Sequence, residues 1–76
     1  MGMMVTARKL SEDHEQVIYE FGYDRRFDRR LVIDKSDVTA WAEDGDFDPA
    51  AGAITTKIKA AWRQHGVFPE GAVFSS

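Results

Sequence analysis

The sequence predicts an α+β domain: a three- to four-stranded antiparallel β-meander followed by one C-terminal amphipathic helix packed on one sheet face. Two patterns carry this reading. Residues 15–24 alternate with a period of two, setting Val17, Tyr19, Phe21 and Tyr23 on one side and Ile18, Glu20, Gly22 and Asp24 on the other. Residues 49–65 instead repeat with helical spacing, placing Ile54, Ile58, Ala61, Trp62 and His65 on one stripe. An order of strands first and a helix afterwards suits a sheet with a helix on one face.

The helix is well punctuated. Asp48 is a side-chain cap for the first free N–H groups, and Pro49 stands where a missing N–H costs nothing. Gly66 can take the left-handed conformation that ends a helix, with Arg63 and His65 near the negative end of its dipole. Thr55, Lys57, Lys59, Arg63 and Gln64 are assigned to the other faces.

Taken in order, residues 3–10 read as a first strand and Ser11 to His14 as a polar turn. The strand over 15–24 contains Gly22, which predicts a bulge or a close neighbour there. Arg25 to Asp28 forms a hairpin tip, and 29–34 returns with Leu31, Val32 and Ile33. Residues 38–43 read either as a fourth strand or as a short helix begun at Ser36 or Asp37. The strand is preferred because a tight turn after Asp34 extends the meander. The tail, 67–76, holds Ala72, Val73 and Phe74, which are apolar enough to pack on the core or add a short strand. All of residues 1–76 fit one domain with one core, since a chain this short buries only about 60% of its unfolded surface.

Composition narrows the function classes. Hydrophobic residues make up 43% of the chain, enough for a globular core. There is no cysteine, so disulfides and thiolate metal sites are excluded, and a reducing, cytoplasmic setting is expected. No apolar run approaches a membrane span, and the opening residues are not expected to act as a secretory leader. A net charge of −3 disfavours bulk attraction to nucleic acid or anionic membrane.

The chemistry-bearing clusters are few. Arg25, Arg26, Phe27, Arg29 and Arg30 gather four of the ten basic residues around one ring. Guanidinium forks match phosphate geometry and a ring can stack on a base, so this tip is the candidate phosphate or partner contact. The bland alternative is a solvated tip pairing with Asp24, Asp28 and Asp34, and alternation sends Arg29 and Arg30 to opposite faces. Asp44, Asp46 and Asp48 begin a calcium-loop pattern, but Pro49 replaces its glycine and Thr55 its bidentate glutamate. No metal or cofactor is expected. His14 and His65 are far apart in sequence, Glu15 and Glu20 lie on different strand faces, and GxSxG, P-loop and HExxH motifs are absent. An enzyme acting alone is not expected. A subunit of a shared-site enzyme is a reading with no residue in its favour.

One helix covers one sheet face, yet both faces carry apolar residues. Ile18, Val32 and Trp41 are therefore the candidate exposed interface. The leading expectation is a non-enzymatic protein–protein interaction or regulatory domain, with a homodimer as one form of it. The stretch from Asp37 to Asp48, acidic and without a basic residue, is a candidate for steering a basic partner. The alternative expectation is a phosphate- or nucleic-acid-contacting accessory protein using the arginine-rich tip.

Overall fold

The computed structural model describes residues 2–75. The meander is present as β1 (Met4–Glu12), β2 (Gln16–Tyr23), β3 (Arg29–Asp34) and β4 (Thr39–Ala42), followed by helix α1 (Pro49–His65). The strand reading of residues 38–43 therefore holds over a shorter span. The expected strand count is corrected by β5 (Gly71–Ser75), which pairs antiparallel with β1 and makes a five-stranded sheet of order β4-β3-β2-β1-β5.

This order explains why a helix must intervene. Since β1 is antiparallel to both β2 and β5, β4 and β5 run in the same direction at opposite edges. The connection has to cross the sheet and return along its length. Crossing four inter-strand gaps takes roughly 19 Å, and the 17-residue helix supplies about 25 Å.

The helix lies on the face formed by alternate strand residues. Val5, Val17, Tyr19, Phe21, Leu31 and Ile33 are fully buried there together with Ala51, Ile54 and Ile58 of α1. Trp62 is only half-buried on that stripe and stacks on Phe68, with ring centroids 5.4 Å apart. Two helix assignments change: Thr55 is buried beside the stripe, and His65 is exposed at its end. Both helix ends are closed as their residues require. The Asp48 carboxylate accepts from Ala51 N at 3.0 Å, and Gly66, at φ 78°, donates its N–H to Trp62 O at 2.7 Å.

Polar turns fix the rest. The first strand runs through the expected polar turn as far as Glu12, with a bulge between Lys9 and Ser11. Asp13 then accepts from the N–H groups of Glu15 and Gln16, each at 2.8 Å. In the β3–β4 turn, Val38 sits at φ 58°, which costs a β-branched residue about 1–2 kcal/mol, and its side chain packs against the core. The segment entering β5 is tied to the sheet: Tyr19 Oη donates to Pro69 O at 2.6 Å and Lys9 Nζ to Phe68 O at 3.0 Å. Burial and the nearby Glu12 and Glu70 charges push the Tyr19 hydroxyl pKa well above that of an ordinary tyrosine, so it remains a donor.

Replacing Ile58 with Ala removes a fully buried side chain from the centre of this contact. The expected loss is about 3 kcal/mol, a large part of the stability of so small a domain. Urea unfolding followed by far-ultraviolet circular dichroism will show a correspondingly lower midpoint.

Candidate functional site

Register defines what the uncovered side of the sheet presents. Ile18 pairs with Val32 and Val32 with Trp41, so the three expected interface residues form one cross-strand row opposite the helix. Their exposure differs. Trp41, on edge strand β4, is 43% exposed, Ile18 is half-buried, and Val32 is buried at 7%. The expectation that Val32 is open to solvent is thus corrected: a central-strand valine between two larger residues is screened by its own row. Only the Trp41 end of the row is open.

The next row toward the hairpin tip is charged. Arg30 pairs across the strands with Glu20, and Glu20 with Arg8. Arg8 Nε donates to Glu20 Oε1, and the Arg8 guanidinium also lies 4.2 Å from the centre of the Phe27 ring. Among the described residues Arg30 makes no ion pair, and it is exposed.

Beyond this row the tip folds over the outer face. Tyr23 to Arg26 is a tight turn in which Asp24 (φ 53°) and Arg25 (φ 74°) are both left-handed, closed by Arg26 N donating to Tyr23 O at 2.8 Å. Arg25 N donates to Thr6 Oγ1 at 3.0 Å, and Thr6 is buried beneath. The Arg26 carbonyl comes so near Gly22 that a Cβ there would lie 1.7 Å from its oxygen. The expected close neighbour of Gly22 is therefore its own hairpin loop. Phe27 is half-buried under Arg8 rather than available for stacking.

The arginine-rich segment does not act as one cluster. Arg25 and Arg26 are exposed at the tip, Arg30 lies on the outer face, and Arg29 turns to the helix side. Arg29 Nη1 donates to both oxygens of Asp48 at 3.0 Å, Nε to Asp44 Oδ2 at 2.8 Å, and Nη2 to Asp46 O at 2.6 Å. Its guanidinium also sits 4.7 Å from the centre of the Phe21 ring. The acidic connection that resembled the start of a calcium loop thus wraps around an internal cation. Among the described residues no group of three or more acidic, histidine or cysteine side chains is arranged to hold a metal ion.

Electrostatics follow from this geometry. The hydrogen bond from Arg29 holds the Asp44 carboxyl below the usual carboxylate range, helped by Asp46 N. The bond from Ala51 N, and then Arg29, do the same for Asp48. At the far end of the sheet Glu12 is lowered by hydrogen bonds from Lys35 and Lys9. Burial works against the charged form of Lys9, but its bonds to Glu12 and Glu70 outweigh it and raise the pKa. This Lys9–Glu12–Lys35 network had no sequence signal, because Lys9 and Glu12 share β1 but Lys35 reaches them from the distant β3–β4 turn.

Two surface clefts of about 340 Å³ flank these networks. One lies under the tip, lined by Gly22, Tyr23, Asp24, Arg26, Asp28, Arg29 and Ala50, and the other lies beside Glu12, Lys35, Trp62 and Phe68. Each is lined by both acidic and basic side chains. No helix among the described residues is long and apolar enough to cross a membrane. Comparison with protein-family models, with characterised proteins and with solved structures finds no match to this chain.

Two predictions arise here. Gly22→Ala must push the tip off the outer face, with an expected cost of about 2 kcal/mol or more and a melting temperature lower by roughly 10 °C in thermal denaturation. Asp44 and Asp48 have folded pKa values below their unfolded ones, so their contribution is complete above about pH 4 and is lost as pH falls through the folded values. Arg29→Met weakens that linkage. The fall in melting temperature from neutral pH to pH ~3 is therefore expected to be smaller in the variant than in the parent protein.

Proposed function

We propose that this chain is a small, non-enzymatic protein–protein interaction or regulatory domain whose contact surface is the outer sheet face around Trp41. The observation that carries the reading is the row of Ile18, Val32 and half-exposed Trp41 on the side that the helix does not cover. Arg30 and the Arg8–Glu20 pair border this row. Tryptophan and arginine are the side chains that most often dominate binding energy, and an apolar anchor rimmed by charge is the usual anatomy of a contact patch. In this reading the partner is a protein with an apolar element and an acidic group to meet Arg30, and the setting is the cytoplasm.

The phosphate-contact reading draws less support from the same geometry. Arg29 is engaged by Asp44 and Asp48, Phe27 is covered by Arg8, and Arg25 and Arg26 remain beside Asp24 and Asp28 on the tip. An isolated pair of tip arginines is a weak phosphate site.

A photo-crosslinking residue in place of Trp41, compared with the same residue in place of the helix-surface Ala60, tests the proposal in extracts of the source cells. A discrete adduct from position 41 and none from position 60 is expected. Equal labelling from both positions, or no adduct from position 41, argues against the outer face as the contact surface.

A further inference from the structure

The edges of the sheet differ in a way that selects one of them for self-association. Lys9 N donates to Glu70 O at 2.7 Å, and the β1–β5 register continues through Ala7↔Ala72 and Val5↔Phe74. Antiparallel pairs alternate between hydrogen-bonded and non-hydrogen-bonded, so the N–H and C=O groups of Ala72 and Phe74 face β1. Those of Gly71, Val73 and Ser75 therefore face away from the sheet, along its free edge. The Asp24 N to Met4 O bond on the other side of β1 fixes the same phase independently.

This edge carries none of the devices that usually block strand addition. From Gly71 to Ser75 there is no charge, no proline and no bulge, and Val73 is 54% exposed. The opposite edge, β4, is short and flanked by Asp37, Glu43 and Asp44, so two copies meeting there would set acid against acid. The uncharged edge is compatible with its own copy; the acidic edge is not.

We propose that β5 pairs antiparallel with β5 of a second copy of this chain about a two-fold axis at Val73. In that register Val73 faces the partner's Val73, and Gly71 faces the partner's Ser75. Each pair exchanges both backbone hydrogen bonds, and the two Val73 side chains meet on the outer face. The two sheets become one continuous sheet with both helices on the same side. Their outer faces then lie side by side, so the dimer presents the Trp41 row twice. The seam involves one short strand from each copy, so association is weak and concentration-dependent. The edge argument is independent of the contact role proposed for Trp41.

Sedimentation equilibrium of the full chain from micromolar to millimolar concentration, with amide hydrogen exchange read at Val73 and Ser75, tests this. A monomer–dimer equilibrium is expected, with protection of both amides rising with concentration. Val73→Lys places like charges directly opposite at the axis and is expected to weaken the dimer at least about fivefold. Val73→Thr keeps the β-branch and the backbone bonds, and is expected to keep the dimer. Circular dichroism confirms that each variant is folded. A strict monomer at millimolar concentration overturns the proposal. So does a dimer that tolerates Val73→Lys but is lost in Trp41→Glu, which would place the seam on the outer face.

Discussion

The buried cluster that Ile54 and Ile58 share with Val17, Tyr19 and Phe21 is the packing on which the rest of the structure depends. These side chains have no exposed surface, and between them they bring the most apolar strand and the only helix among the described residues into one core. Burying them contributes roughly 2 kcal/mol each, the scale on which a domain of this size is decided. The same contact commits the helix to one side of the sheet. The outer face has only its own side chains and the folded-over tip for cover. Hence the asymmetry in which Val32 is screened within its row while Trp41 is not.

Charge is organised around this core. Arg29 lies at the edge of the apolar face, over Phe21, and joins β3 to the helix cap through Asp48 and to the preceding connection through Asp44. That arrangement gives the acidic stretch a structural purpose. Asp44 and Asp48 hold the start of α1 to β3, and one Arg29 charge offsets part of theirs before any partner arrives. Lys9, Glu12, Lys35 and Glu70 do similar work at the other end, where the chain leaves the helix and enters β5.

How much of this was legible in the sequence depends on the range of each interaction. The helix bounds followed from Asp48, Pro49 and Gly66, which act on their immediate neighbours. The alternation of Val17, Tyr19 and Phe21 likewise disclosed which residues share a face, and with them the row of Ile18, Val32 and Trp41. The fifth strand was legible only as one of two readings of the tail, because Gly71 to Ser75 is too short to establish a period, and its partner, β1, is the strand farthest from it in sequence. Thr55 was placed outside the stripe because a threonine in a helix has no local sign of burial. The tip was half-legible: Gly22 announced a close approach, but only the three-dimensional path shows Arg26 filling that space and Phe27 passing beneath Arg8.

The claim that one face is covered and the other is left for contact is most directly tested by nuclear magnetic resonance with a soluble paramagnetic agent at low protein concentration. The Trp41 indole signal is expected to broaden strongly, the Ile18 methyls to an intermediate degree, and the Ile54 and Ile58 methyls hardly at all. Broadening of the Ile54 and Ile58 methyls to the level of Trp41, or a Trp41 indole as protected as they are, would contradict the account.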